Sequence, residues 1–195
     1  MNVQPEISDK KDLILNSTLE LIKTNGFHNT PISLIAKTAG VAAGTIYHYF
    51  PSKDAIIIEI YNQIRKRLLE IMFHDLNAQH DYRMQFFLGW KNLVRYFINN
   101  PSALIFIEQY NSSPFPKITE DEEDSGNRFN KYFQTGIEKG YVKKIGCDLI
   151  SSVVFGCILS TAKYHIAGRY DYTDDDLCKI ANILWDGIKN AEQEL

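Results

Sequence analysis

The sequence has few of the features that mark an enzyme or a metalloprotein. Its three cysteines, Cys147, Cys157 and Cys178, are odd in number and show no metal-type spacing. No glycine-rich phosphate loop occurs, and the five histidines are scattered along 195 residues. The pattern therefore favours a protein that is not an enzyme, and we expect neither a metal nor a cofactor.

The sequence also shows no long hydrophobic run and no pattern typical of a signal peptide. Residues 1–12 are polar and carry both charge signs, so no signal peptide is expected. The longest apolar stretches are broken by polar groups short of a bilayer span. Buried free thiols fit a reducing compartment. These observations predict a cytoplasmic protein without a membrane partner.

Excess positive charge is absent as well, since the net charge is −3. The charge is unevenly distributed, however. Residues 1–67 carry eight Lys/Arg against six Asp/Glu, whereas residues 68–195 carry thirteen against eighteen. A mildly basic amino-terminal part on an acidic remainder is compatible with a protein that holds DNA by one end.

The most informative stretch that is present runs from Thr30 to Lys53. Thr30 is expected to cap a helix that begins at Pro31. Gly40 is expected to end that helix in the left-handed conformation. A second short helix follows from about Ala42. Two short helices around a glycine turn predict a helix-turn-helix, which needs flanking helices to fold.

This stretch lies within a longer resemblance. Residues 14–54 resemble the DNA-binding domain of the TetR (tetracycline-repressor-like) family of bacterial regulators. The matching positions are Asn25-Gly26-Phe27, Thr30, Ile35-Ala36, Ala39-Gly40-Val41, Gly44, Ile46-Tyr47, Tyr49-Phe50 and Ser52-Lys53-Asp54. An isolated helix-turn-helix is a weak signal, but this many positions in one ungapped run is a strong one.

Helical periodicity continues to the end of the chain, without a strand pattern. The expected fold is therefore all-α with about nine helices. Residues 1–52 are predicted to form a three-helix DNA-binding domain, and a helix over about 53–75 is predicted to connect it onward. Residues 53–195 are predicted to form a larger helical domain for ligand binding and dimerisation. Residues Glu120 to Asp124 are expected to be a solvated acidic face at the start of a helix over about 119–139.

The second short helix is expected to enter the major groove by its first turns. Gly44 allows close approach to DNA, Thr45 offers a hydroxyl, and Ala42 and Ala43 offer only methyl groups. Because the alanines cannot form hydrogen bonds, we expect DNA shape and half-site spacing to contribute much of the specificity.

Contacts to phosphates have better candidates than contacts to bases. The hydroxyls of Tyr47 and Tyr49 can reach backbone oxygens, and the resemblance implies that Tyr47, His48 and Tyr49 touch DNA. The alternative for either tyrosine is a core residue with its hydroxyl at the rim. Three further candidates lie at helix starts, where free N–H groups favour phosphate: Thr30, Ser33 and Lys53.

The remainder of the chain is rich in aromatic residues, and most aromatics on amphipathic helices are core. Enough rings are present to enclose an apolar pocket. The predicted lining is Phe87, Trp90, Phe97, Phe106, Glu108, Tyr110, Phe129 and Phe133. Glu108 and its neighbour Gln109 are candidate polar anchors, and helix-surface polarity is an equal alternative.

The last two helices suggest self-association. One is rich in small residues and the other carries an apolar face. The candidate interface residues are Ser152, Gly156, Ser160, Leu184, Trp185 and Ile188. The resemblance implies a four-helix dimer interface built from the last two long helices.

Three functions are compatible with these observations. The first is a homodimeric repressor that a small, largely apolar effector releases from a double-stranded DNA operator. The second is a helical ligand-binding or adaptor protein with weak or lost DNA binding, which the two alanines favour. The third is an enzyme, for which no nucleophile–base pair is evident.

Overall fold

The computed structural model describes residues 7–74, 81–115 and 125–190. Within these ranges the chain forms nine helices and no strand, which confirms the all-α prediction. The helices are α1 (Ile7–Asn25), α2 (Ile32–Ala39), α3 (Ala43–Tyr49), α4 (Lys53–Phe73), α5 (Tyr82–Asn99), α6 (Pro101–Asn111), α7 (Ser125–Glu138), α8 (Cys147–Ile166) and α9 (Asp174–Ile188).

Local signals set most of the helix ends. Ser52 accepts a hydrogen bond from the backbone N–H of Ala55 at 3.1 Å and so caps α4. Thr173 and Asp176 form a reciprocal capping box at the start of α9. Gly40 ends α2 at a φ of 67°, in the left-handed region that a side chain disfavours.

One expected cap is wrong. Thr30 does not cap α2, because Pro31 occupies the N-cap position and the helix begins at Ile32. The hydroxyl of Thr30 donates instead to the carbonyl of Gly26, 2.8 Å away. The side chain thus closes the turn that follows α1. The predicted start of the seventh helix near Thr119, and the acidic run Glu120 to Asp124, lie outside the described residues.

The chain forms two compact units whose division is not contiguous in sequence. The head unit contains α1, α2, α3, α4 as far as Ile64, and α6. The body unit contains α4 from Arg65 onward, α5, α7, α8 and α9. The boundary expected near residue 52 therefore does not coincide with this division, because α6 packs on α1 within the head unit.

Each unit has its own apolar core. In the head unit, residues fully removed from solvent include Ile14, Ile35, Ile46 and Ile56. In the body unit, α5 packs on both α8 and α9, while α7 packs on α8. Burial of such side chains contributes about 1.5–3 kcal/mol each before conformational entropy is subtracted.

One helix has membrane-like composition. Among the described residues, α8 is long and apolar enough to cross a bilayer by length and composition, which is weak evidence on its own. The expectation that every apolar stretch is too short therefore fails for this helix. Leu149 and Val153 account for part of its hydropathy, since both are large apolar residues that lie exposed on α8.

Candidate nucleic-acid interface and ligand cavity

The helix α3 presents a continuous exposed surface on the head unit. Ala42, Ala43, Gly44 and His48 are exposed, and Tyr47 exposes 56% of its surface. No atom lies within 4 Å of where a Cβ on Gly44 would stand, so this surface is open to a partner. These five of the predicted groups thus lie together on one accessible face.

The opposite side of α3 anchors it to the head unit. Ile46 is fully buried, and Phe50, which follows the helix, is 4% exposed. The helix α2 packs against α3 and contributes the buried residues Ile35 and Ala39. A seven-residue helix is too short to be stable alone, so this apolar packing holds α3 in place.

Three of the predicted DNA contacts do not lie on this exposed face of α3. Thr30 is 1% exposed and its hydroxyl is bonded to Gly26, so that hydroxyl is not available to a phosphate. The ammonium group of Lys53 donates to the carbonyl of Phe27 at 2.9 Å, which ties α4 to the turn after α1. Tyr49 is half-buried and packs edge-to-face against His48. Ser33 is exposed on α2.

The side chain of Gln109 has a role that the sequence did not reveal. Its Oε1 accepts from the backbone N–H of Phe27 at 3.2 Å, and its Nε2 donates to the carbonyl of Ile22 at 3.3 Å. The Phe27 ring packs edge-to-face on Phe106 and Phe115. Gln109 therefore links α6 to the end of α1, within the head unit. In the sequence it is a candidate ligand anchor, with helix-surface polarity as an equal alternative.

The body unit contains a cavity of about 900 Å³. The residues around it are Phe73, Asp81, Tyr82, Arg83, Gln85, Arg128, Lys131, Tyr132, Thr135, Lys139, Tyr141 and Trp185. None of the eight predicted pocket residues belongs to this lining. Trp90, Phe97 and Phe133 are core residues with at most 2% exposure, and Phe87 and Phe129 are half-buried. Phe106, Glu108 and Tyr110 belong to the head unit.

Two tyrosines form part of the cavity wall through reciprocal hydrogen bonds. The hydroxyl of Tyr82 donates to the carbonyl of Tyr132 at 3.0 Å, and the hydroxyl of Tyr132 donates to the carbonyl of Tyr82 at 3.1 Å. Their rings stack with centroids 4.5 Å apart. Desolvation by burial raises the pKa of both phenols well above the ordinary range, so both stay neutral.

Gly136 makes this arrangement possible. A Cβ at this position would stand 2.4 Å from the Tyr82 hydroxyl oxygen and 2.9 Å from a methyl carbon of Val142. Only a residue without a side chain leaves room for the tyrosine here. The contact between the start of α5 and α7 therefore depends on a glycine that sequence periodicity does not distinguish.

The predicted dimer residues fall into two groups. Ser152, Gly156 and Ser160 are exposed along α8, and Leu184 is half-buried. Trp185 and Ile188 are instead 8% and 5% exposed within the single chain, which corrects their assignment to an external surface. Trp185 packs on Phe86, with ring centroids 5.6 Å apart. The three most exposed large apolar residues of these helices are Leu149, Val153 and Ile183.

The comparison with known families decides the assignment. Residues 14–60 match the family model described as "Bacterial regulatory proteins, tetR family". Residues 39–190 match the model described as "Tetracyclin repressor-like, C-terminal domain". The protein belongs to the TetR family. It is a ligand-responsive, DNA-binding transcriptional repressor, and dimerisation and release by a ligand are typical of TetR-family regulators.

Individual relatives agree over nearly the whole length of this TetR-family chain. The fatty acid metabolism regulator protein of Bacillus subtilis is 28% identical over 187 residues, covering 91% of this chain and 94% of the relative. An uncharacterised regulator of Haemophilus influenzae is 29% identical over 171 residues, covering 87% and 88%.

Solved structures share the fold. A TetR-family regulator from Marinobacter aquaeolei has a TM-score of 0.84 at 20% identity, covering 94% of this chain and 97% of that chain. FadR from Bacillus subtilis, solved in complex with stearoyl-CoA, has a TM-score of 0.67 at 23% identity, covering 90% and 95%.

Proposed function

We propose that this TetR-family protein is a cytoplasmic homodimeric repressor of genes of fatty acid metabolism. In this proposal α3 enters the major groove of an operator, and a metabolite derived from a fatty acid releases it. The observation that carries DNA binding is the open face of α3, formed by Gly44, Tyr47 and His48, on a helix whose other side is buried. The relative named as a fatty acid metabolism regulator supports the biological role.

The DNA contacts divide by chemistry. Tyr47 offers a hydroxyl on the exposed face, and Thr45 and Tyr49 are half-buried beside it. Ala42, Ala43 and Gly44 provide surface without hydrogen-bonding side chains, so they allow close approach but little direct base readout. Ser33 is the remaining exposed phosphate candidate, and Lys53 contributes charge while bonded to Phe27. Specificity then depends largely on DNA shape and half-site spacing.

A matched pair of glycine substitutions tests the DNA-binding face. At both Gly44 and Gly146 no atom lies within 4 Å of the position that a Cβ would take, so glutamate fits at both. We expect Gly44→Glu to abolish binding to the DNA upstream of the protein's own gene, because it adds an anion against phosphates. Gly146→Glu adds the same charge in the body unit and leaves binding within about twofold. Equal affinities in a fluorescence anisotropy titration would contradict the proposed face.

The proposed dimer uses the exposed faces of α8 and α9. Leu149 and Val153 lie one helical turn apart on α8, at 66% and 58% exposure, and Ile183 on α9 is 72% exposed. Ser152, Gly156 and Ser160 lie on the same side of α8 and allow another helix to approach. Isolated apolar side chains are common on surfaces, whereas a contiguous apolar patch indicates an interaction site.

Light scattering with size-exclusion chromatography tests the dimer. Leu149→Glu together with Val153→Glu is expected to give a monomer, because two carboxylates would be buried at the interface. The control is Leu13→Glu, a similarly exposed apolar residue on α1. A wild-type protein that elutes as a monomer at micromolar concentration would contradict the dimer and leave the DNA-binding test unaffected.

The adaptor alternative makes a different prediction for DNA. It rests on Ala42 and Ala43, which supply no hydrogen-bonding side chain at the start of α3. If the wild-type dimer binds specific and unrelated DNA with the same weak affinity while still binding a ligand, the adaptor function is correct.

A further inference from the structure

The exposed face of α3 is divided between two kinds of side chain. Ala43 and Tyr47 are four residues apart in the helix, as are Gly44 and His48, so each pair lies on one side of α3. All four residues are exposed, and so is Ala42, which precedes the helix. Tyr47 and His48 can form hydrogen bonds, whereas Ala42 and Ala43 present only methyl groups. We call these two methyl groups the methyl surface.

Thr45 lies away from the methyl surface, on the other side of the helix. Thr45 and Tyr49 are half-buried, and Ile46 between them is fully buried. Thr45 and Tyr49 are four residues apart, so both lie on the side of α3 that packs against the head unit. Along the exposed face of α3, the first side chain that can form a hydrogen bond is therefore that of Tyr47, one turn beyond the methyl surface.

Gly44 allows these short methyl groups to reach a base edge. An alanine methyl group touches DNA only where the backbone of the helix comes close. At Gly44 no atom lies within 4 Å of the position that a Cβ would take, and the residue has no side chain of its own to hold DNA away. The backbone beside the methyl surface is therefore accessible at contact distance.

In the major groove, a methyl group distinguishes one of the four bases. Each base pair presents hydrogen-bonding groups there, and thymine adds a C5-methyl group. A protein methyl group placed on this C5-methyl removes apolar surface of both partners from water, which is favourable. Placed on the amino group of cytosine or on N7 and O6 of guanine, it displaces water without offering a hydrogen bond, which is costly. The methyl surface should therefore favour A·T pairs over G·C pairs.

We infer that the methyl surface of Ala42 and Ala43 selects thymine by contact with its C5-methyl group, so that each half-site of the operator carries thymine opposite α3. The two alanines then contribute to specificity through an apolar contact rather than through a hydrogen bond. The inference rests on the proposed function, since it names a base that the DNA-binding face selects.

Replacement of thymine by uracil in DNA isolates this contact. Uracil pairs with adenine and presents the same O4 acceptor in the major groove, but it lacks the C5-methyl group. The probe is a duplex that the full-length protein enriches from a pool of random duplexes. It is synthesised in two forms, with thymine and with uracil throughout, and fluorescence anisotropy measures the affinity of the protein for each form.

We expect the uracil duplex to bind the wild-type protein at least tenfold more weakly than the thymine duplex. One buried methyl group contributes about fourfold in affinity, and each of the two head units in a dimer would lose at least one such contact. The enriched half-sites should carry thymine at a position where G·C pairs are excluded.

The paired change Ala42→Gly and Ala43→Gly removes the methyl surface from the protein. We expect this variant to bind the thymine and uracil duplexes within about twofold of each other, because the C5-methyl group has lost its partner. The ratio compares two duplexes on one protein, so a less stable α3 does not imitate this result. Ala167→Gly is the matched control, because it removes an exposed alanine methyl group in the body unit, and it should keep the wild-type ratio.

A second pair of substitutions covers a loss of the helix. Glycine at position 43 lowers helix propensity, although glycine is accepted at the N-cap position 42. If the paired glycine variant binds neither duplex, the pair Ala42→Ser and Ala43→Ser takes its place. Serine is a favoured N-cap and exchanges each methyl group for a polar one. The ratio between the two duplexes should again fall to about twofold.

The outcomes separate the inference from the proposed function. If the wild-type protein binds both duplexes equally, the thymine contact is wrong while sequence-specific DNA binding stands. If uracil weakens binding but the variants without the methyl surface keep the wild-type ratio, DNA shape accounts for the preference and the inference is also wrong. If no duplex is enriched from the pool, the repressor function and the inference fail together.

Discussion

The two units of this regulator differ in where their candidate contact residues lie. In the head unit the proposed DNA contacts are on the outside of a short helix and are mostly uncharged: Tyr47, Gly44 and two alanines. Two of its lysines have partners within the unit, since Lys11 pairs with Glu59 at 2.7 Å and Lys53 donates to the carbonyl of Phe27. In the body unit, by contrast, four cationic side chains line a cavity: Arg83, Arg128, Lys131 and Lys139.

This contrast indicates different modes of recognition in the two units. A surface that meets a large, rigid polyanion such as DNA can use shape, hydroxyls and backbone groups. A cavity that encloses a small ligand must instead match each polar group of that ligand, because the ligand leaves water.

The largest effect is expected on DNA affinity from Tyr47→Ala. Removal of a hydroxyl that donates to phosphate costs about 1.5–3 kcal/mol, or roughly tenfold to a hundredfold in affinity for each head unit. Stability should barely change, because the side chain is 56% exposed. Fluorescence anisotropy with operator DNA measures the affinity. The variant Tyr47→Phe tests the hydroxyl alone, because it keeps the ring. If this variant binds operator DNA as tightly as wild type, the hydroxyl makes no contact with DNA.

The next effect is on the stability of the body unit from Gly136→Ala. The new methyl group would stand 2.4 Å from the Tyr82 hydroxyl, so the free energy of unfolding should fall by about 1–3 kcal/mol. Urea denaturation followed by circular dichroism measures it. Gly187→Ala on α9 is the control, because nothing lies near its Cβ, and it should stabilise by about 0.5–1 kcal/mol. Equal behaviour of the two variants would refute the close packing of Tyr82.

A smaller effect is expected from Gln109→Leu in the head unit. Phe27 N–H loses its partner, and the Ile22 carbonyl keeps only its bond from the Gly26 N–H, so the unfolding free energy should fall by about 1–2 kcal/mol. Operator affinity should fall as well, because α6 no longer fixes the end of α1. Gln109→Glu keeps the acceptor for Phe27 N–H, so it should be the milder variant in chemical denaturation. The reverse order would contradict the assignment of the two bonds.

The smallest effect is expected from Asp174→Asn at the start of α9. The hydrogen bond from Arg95, aided by Lys91, lowers the pKa of this exposed carboxyl. A lowered pKa in the folded state means that the stabilisation is present above the ordinary Asp range and is lost as the pH falls through the lowered pKa. Wild type should therefore melt slightly above the variant near pH 7, and the two should converge in acid. If the difference in Tm between wild type and the variant grew on acidification, the ionised Asp174 would not be the stabilising form.

Much of the head unit was predictable because its signals are local. The glycine turn at Gly40, the cap at Ser52 and the spacing of Ile35 and Ile46 each act over a few residues. For Thr30 the local signal is ambiguous, because a threonine before proline can cap the next helix or close the preceding turn. Only the folded turn directs its hydroxyl to Gly26.

The cavity was not predictable in the same way. Its lining comes from the end of α4, the start of α5, α7 with the turn that follows it, and Trp185 on α9. The largest rings looked like pocket residues in the sequence, but Trp90, Phe97 and Phe133 pack in the core, because burial of large rings is the commonest way to stabilise a helical domain. Charged residues at the rim carried no periodic signal.

By itself the sequence determined the helical class, the helix-turn-helix with its exposed recognition helix, and the family, since these depend on caps, glycine turns and short-range periodicity. The tertiary structure alone decided that α6 belongs to the head unit through Gln109, that Trp185 and Ile188 face inward, and that four cations meet around five rings. Those features depend on residues far apart in the chain, and local propensity carries no information about which distant side chains come together.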